Sequence, residues 1–155
     1  PPVRDEIFQT DWVAGASMII RREVLEEVGL MDENYFMYYE EMDYCLQSKR
    51  AGWPCWYVPT SRVVHLVGQS SGVTNTKDVQ KRRPQYYFDS RNYYFRKNYG
   101  LLYLILADGM WLFGYLTWQL RRRIQQKPDN YPPKILYDFS CNSILFRSLS
   151  MFKSS

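Results

Sequence analysis

Hydrophobic positions recur with several different periods along this chain, and each change of period predicts an element. Val13 to Ile20 is an apolar run interrupted by Gly15 and other small residues, which predicts a strand or a loop. In the stretch that follows, Val24, Leu25 and Val28 share one helical face, and Gly29 stands where a left-handed C-terminal residue belongs. Met31-Asp32-Glu33-Asn34 reads as a turn. From about Tyr39, the apolar positions Met42, Cys45 and Leu46 recur at helical spacing, predicting a second helix ended by Ala51-Gly52. Trp56-Tyr57-Val58 and Arg62 to Leu66 are short aromatic and β-branched runs around Pro59-Thr60-Ser61, the pattern of two strands with a turn.

The second half is different in kind. Gly68 to Thr76 is small and polar and predicts a loop. Beyond Pro84, Tyr86, Tyr87, Tyr93, Tyr94 and Phe95 interleave with Arg91, Arg96 and Lys97, which predicts a helix ending near Gly100. Tyr99 to Leu120 then carries only Asp108, Thr117 and Gln119 as clearly polar side chains and runs into Arg121-Arg122-Arg123. As one helix it would measure about 33 Å, close to the roughly 30 Å of a bilayer's hydrocarbon core. Asp108 at the bilayer centre would cost roughly 3 kcal/mol, and Gly109 beside it offers a break. Two short helices meeting at Asp108-Gly109, lying as a hairpin in the membrane interface, are therefore expected. From Pro128 the residues show no period and read as a tail.

Composition narrows the classes. With 155 residues, 46% of them hydrophobic, the chain can bury one core and is too apolar for intrinsic disorder. Lys and Arg outnumber Asp and Glu by 20 to 16, an excess that suits anionic lipid or phosphate and falls short of a nucleic-acid partner. The three cysteines, Cys45, Cys55 and Cys141, have no CxxC spacing, so neither a disulfide framework nor a zinc site is expected, and a reducing compartment is. The opening Pro1-Pro2-Val3-Arg4, without an initiator methionine, is expected to continue an upstream half.

Candidate chemistry lies between Asp11 and Ser71. In order come Asp11-Trp12-Val13-Ala14-Gly15-Ala16, Arg21-Arg22-Glu23, Gly29, Asp32-Glu33, Phe36-Met37-Tyr38, Glu40-Glu41-Met42-Asp43, Ala51-Gly52, Val58-Pro59 and Val64-His65. This ordered set resembles the second half of rhamnosyltransferase-like and galactosyltransferase-like family 2 glycosyltransferases. The resemblance implies an α/β chain whose residues 1–85 form the acceptor-side, C-terminal part of a GT-A fold; the pattern of the remaining residues adds aromatic and apolar helices over 86–125, expected to contact a membrane or a second copy, and a tail over 126–155. It implies that Glu41 is the general base, Glu standing where the family's Glu-Asp-x-Asp cluster usually has Asp, one methylene shorter. An inverting transfer needs a carboxylate that takes the acceptor's hydroxyl proton as its oxygen attacks the anomeric carbon. By the same resemblance Glu40 binds acceptor hydroxyls, Asp43 orients neighbouring groups, and Trp12 and Gly15 line the acceptor pocket. His65, the single histidine, would help hold a divalent cation, manganese or magnesium, against the donor pyrophosphate, and Ser70 and Ser71 would close over the phosphates.

Processive synthases of the broad family carry Gln-x-x-Arg-Trp, whereas Gln80-Lys81-Arg82-Arg83-Pro84 has proline in place of Trp, which favours limited sugar addition. No Asp-x-Asp occurs in the chain, so the donor-binding half is expected upstream and this piece alone is expected to be inactive. The implied partners are a nucleotide-sugar donor, a glycan or lipid-linked acceptor, the inner face of the cytoplasmic membrane and a second copy of the chain. A non-catalytic membrane-docking or assembly module is the alternative, while a self-contained metal hydrolase is disfavoured by the shortage of ligands.

Overall fold

A computed structural model describes residues 5–64, 82–129 and 131–146. Over these the chain is rich in helix with one small sheet. Strand β1 (Phe8–Thr10) pairs antiparallel with β2 (Cys55–Tyr57), Phe8 opposite Tyr57 and Thr10 opposite Cys55. Between them lie a 3-10 turn (Gly15–Ser17), helix α1 (Arg22–Val28) and helix α2 (Glu40–Arg50). The expected strand or loop over 13–20 is thus a loop with one tight turn, and residues 61–64 form no strand. His65, Ser70, Ser71, Gln80 and Lys81 lie outside the described residues.

Helix ends follow the glycines. Gly29 takes φ 89° and donates its N–H to the Leu25 carbonyl at 3.0 Å, closing α1. Gly52 takes φ 90° just past α2. The end of α1 is then pinned to α2, because the Tyr44 hydroxyl donates to the Gly29 carbonyl at 3.1 Å.

Helix α3 (Gln85–Ile124) begins after Pro84 and bends at Gly100, whose φ of 83° and ψ of 176° break the helical path. The predicted end near Gly100 is therefore a bend between two arms, 85–99 and 101–124. The expected break at Asp108-Gly109 does not occur: the second arm runs unbroken through both residues, so there is no hairpin. The reason is that Asp108 is fully buried and paired. Arg91 of the first arm donates to Asp108 Oδ1 at 2.6 Å, and Ser143 Oγ and the Ile144 amide donate to Oδ2 at 2.6 and 3.0 Å. The Arg91 guanidinium also lies 5.0 Å from the Phe95 ring centroid and 5.1 Å from that of Phe139.

The stretch read as a tail contains helix α4 (Ile135–Asn142), which packs on α3. Phe88, Ile135 and Phe139 form a buried cluster with Tyr87, Trp111, Leu112 and Tyr115 against it, and the Trp111 and Phe139 rings stack at 3.7 Å. Along the opposite face of the second arm, Leu102, Leu106, Met110, Phe113, Leu116, Leu120 and Ile124 recur at steps of three and four, each between 58% and 74% exposed.

Candidate active site

The head of α2 is built without a capping side chain. Tyr39 occupies the N-cap position at φ 70° and ψ −11°, and Tyr38 before it also has positive φ, 71°. Helix N-caps ordinarily sit in extended conformation, and each bulky residue in the left-handed region costs about 1–3 kcal/mol. Five ring contacts from the first arm of α3 offset this. Tyr38 stacks on Tyr86 at 5.8 Å and meets Tyr87 edge-on at 5.6 Å, while Tyr39 meets Tyr87, Tyr94 and Phe95 at 6.1, 5.4 and 6.5 Å. At about 0.5–1.5 kcal/mol per pair, these contacts are of the same order as the strain. The Ser90 hydroxyl adds a 2.8 Å hydrogen bond to the Met37 carbonyl just upstream.

Immediately after this turn come Glu40 and Glu41, both half-buried, and the Oε2 atom of each is buried without a hydrogen-bond partner among the described residues. Burial raises the Glu40 pKa above its ordinary value; its own backbone amide pulls the other way and the neighbouring Glu41 adds to the rise. Gly15 approaches this pair: a Cβ built on it would lie 3.9 Å from Glu41 Cβ, ordinary van der Waals contact. Trp12, 46% exposed, follows β1, and its carbonyl accepts the Thr10 hydroxyl at 3.3 Å.

Asp43 is in a different situation. Its carboxylate is buried and occupied, Oδ2 by Lys97 Nζ at 2.7 Å and Oδ1 by Asn98 Nδ2 at 2.5 Å. Lys97 bridges onward to Asp32 Oδ2 at 2.7 Å, where the Tyr93 hydroxyl also donates at 2.9 Å. The Lys97 hydrogen bond holds the Asp32 carboxyl far below the usual carboxylate range. This network ties the helix that carries the two glutamates to the first arm of α3. Among the described residues no group of three or more His, Cys, Asp or Glu converges to hold a metal, so these residues do not by themselves fit the expected cation.

The stretch from β1 to the head of α3 also carries the kinship. The family described as glycosyltransferase-like family 2 matches residues 2–92, which contain all of these groups except Tyr93, Tyr94, Phe95, Lys97 and Asn98 of α3. The chain belongs to that family. Among curated members, an N-acetylglucosaminyl-diphospho-decaprenol L-rhamnosyltransferase of Mycobacterium tuberculosis is 39% identical over 61 residues, 39% of this chain and 20% of the relative. Rhamnosyltransferase WbbL of Escherichia coli K12 is 40% identical over 55 residues, 36% of this chain and 21% of the relative. A low-salt glycan biosynthesis hexosyltransferase of Haloferax volcanii is 34% identical over 50 residues, 32% of this chain and 16% of the relative. The matched stretch therefore spans about a fifth of the length of these glycosyltransferases. No solved structure matches the chain at a significant level.

The structure thus brings Gly15, Glu40 and Glu41 together and turns Asp43 away into an ion-pair network. The left-handed Tyr38 and Tyr39 and their aromatic seat were missed by sequence reasoning. Local propensity points away from such a conformation, because a bulky side chain seldom takes positive φ. The signal available was the density of tyrosines on both sides of the contact, Tyr38-Tyr39 and Tyr86-Tyr87.

Proposed function

We propose that this chain is the acceptor-side part of a GT-A-type inverting glycosyltransferase that moves a sugar from a nucleotide-sugar donor to a glycan or lipid-linked acceptor in cell-surface polysaccharide synthesis. The observation that carries this reading is the pair of buried, unpartnered oxygens, Glu40 Oε2 and Glu41 Oε2, at the head of α2. A buried acceptor atom left without a donor costs about 1–3 kcal/mol, and sugar hydroxyls are donors of the right size and number to remove that cost. Two of the relatives above are named as rhamnosyltransferases, which favours a rhamnosyl donor.

In this mechanism Glu41 takes the proton of the acceptor hydroxyl. The freed oxygen pair attacks the anomeric carbon from the face opposite the nucleotide, and the bond to the nucleotide diphosphate breaks with its electrons leaving on the diphosphate. Glu40 accepts a second hydroxyl and fixes the acceptor's orientation. Trp12 offers a flat ring to the sugar, and Gly15 lines the acceptor pocket beside Glu41. Asp43, its oxygens already taken, acts as a positioning residue for the helix. His65 as a ligand of manganese or magnesium, and Ser70 and Ser71 over the phosphates, belong to the same reading on the strength of the family resemblance. No step is assigned to the cation, which would neutralise charge on the departing diphosphate. This chain alone is expected to turn over little or no substrate.

The test is Glu41→Gln in the full-length protein, assayed by release of nucleotide with acceptor present. Turnover should fall about 100-fold or more with donor binding retained, the usual size of a lost general base. Near-normal turnover removes Glu41 from the role. A non-catalytic docking module would rest on a separate observation, the exposed apolar stripe of the second arm of α3. That stripe serves an enzyme equally well, and we read it as holding the protein on the inner face of the cytoplasmic membrane. A full-length protein that releases nucleotide from none of the sugar donors offered would leave the docking module standing.

A further inference from the structure

We propose that Tyr39 is a positioning residue for Glu40 and Glu41: its ring, seated among Tyr87, Tyr94 and Phe95, holds the left-handed backbone turn from which α2 starts. The inference rests on the reading of the two glutamates as the acceptor-facing pair. Three observations converge on it. Tyr39 and Tyr38 are consecutive non-glycine residues at φ 70° and 71°, the pair immediately preceding the two carboxylates. Such a conformation persists only where the surroundings over-determine it. Here the surroundings are rings of another helix, all from the first arm of α3.

The turn also sets the helix direction. The Tyr39 carbonyl accepts the Asp43 amide at 2.8 Å, the first hydrogen bond of α2, so the peptide plane of Tyr39 fixes where the first turn points. No side chain caps that end, which leaves the ring contacts, the Asp43 network and the Ser90 hydrogen bond to the Met37 carbonyl as the holds on it. Tyr39 itself touches no reacting atom in this arrangement. Its effect is on the aim of Glu41, and aim matters because a displacement of about 1 Å at a reacting group costs on the order of 100-fold in rate.

Three variants of the full-length protein separate ring from backbone. Tyr39→Phe keeps the ring and should keep turnover within about twofold of the parent. Tyr39→Gly keeps the left-handed backbone without strain but removes the ring, and Tyr39→Ala removes the ring and keeps the strain. Both should lower kcat by about 10-fold or more while the donor KM stays within about twofold, because the donor does not depend on the aim of the base. Hydrogen exchange of the amides of residues 38–43 in the Gly variant should quicken, a readout that needs no activity. As an independent route to the same turn, Tyr86→Leu, which loosens the neighbouring Tyr38 ring from the α3 side, should lower kcat in the same direction and leave the donor KM unchanged. The proposal is overturned if Tyr39→Gly is folded, exchanges like the parent and keeps kcat, or if kcat and KM fall together in every variant. Glu41→Gln in the same assay tells the two failures apart. If it loses turnover while Tyr39→Gly does not, the base stands and the positioning role is wrong; if it keeps turnover, the underlying reading is wrong.

Discussion

At the residue scale, the two glutamates and the aspartate that follows them show how one acidic cluster divides its labour. Asp43 is buried and satisfied, whereas Glu40 and Glu41 each keep an oxygen without a partner among the described residues. Glu40 carries the cost, since burial has pushed its pKa up. A carboxyl whose folded pKa exceeds its unfolded value binds its proton more tightly when folded. The stability it contributes is present below the ordinary Glu value of about 4.3 and is lost as pH rises through the folded pKa. Glu40→Gln should therefore melt above the parent at neutral pH, with the difference closing as pH falls toward about 4, read from thermal midpoints across that range. Parallel melting curves at all pH values would refute it. The acidic cluster and its place at a helix head were legible in the sequence, because acids before an apolar helical period are a local pattern. Which acid faces inward to a lysine was not, because Lys97 arrives from 54 residues away.

At the scale of elements, α1 and α2 were legible for the same local reason: Gly29 and Gly52 end them with positive φ as the glycine pattern predicts. Helix α4 was not, because two of its four buried residues, Asp138 and Asn142, are polar and erase the hydrophobic period that would mark it. The second arm of α3 shows the reverse failure. Asp108 looked like a break in an apolar stretch, yet its charge is met by Arg91, 17 residues earlier and across the bend at Gly100. A charge left alone in such a place is costly, so removing one partner should be far worse than removing both. Asp108→Ala should lower unfolding free energy by about 3–5 kcal/mol, and the double variant with Arg91→Met should recover part of that loss. Chemical denaturation of the two variants measures both values; a mild effect from Asp108→Ala would mean that Arg91 finds another partner.

At the scale of the whole molecule, burial of Asp108 changes what the second arm offers to its surroundings. The helix is long and apolar enough to cross a membrane by length and composition. One face, however, is packed on α4, and the other presents a stripe with no acid or base in it until Arg121 and Arg123, both exposed, at its end. That asymmetry fits a helix lying along a membrane surface, with the arginines gaining roughly 1 kcal/mol per charge near anionic lipid. The protein should float with anionic liposomes, and Leu106→Glu with Phe113→Glu should abolish flotation without changing the thermal midpoint. Equal flotation of the two would end the membrane assignment, and a dimer lost in the double variant would assign the stripe to a second copy instead.

The hub around Asp108 also decides where this polypeptide can be cut for laboratory expression. Its second oxygen is served by Ser143 and Ile144, beyond the last turn of α4. A shortened version that stops inside the loop before α4 discards those two donors along with Phe139. One that stops after Asn98 strands the Arg91 guanidinium without its counter-ion. The shortest version that keeps the arrangement intact reaches Ile144, so lipid contact is better probed by point changes on the stripe than by shortening the chain.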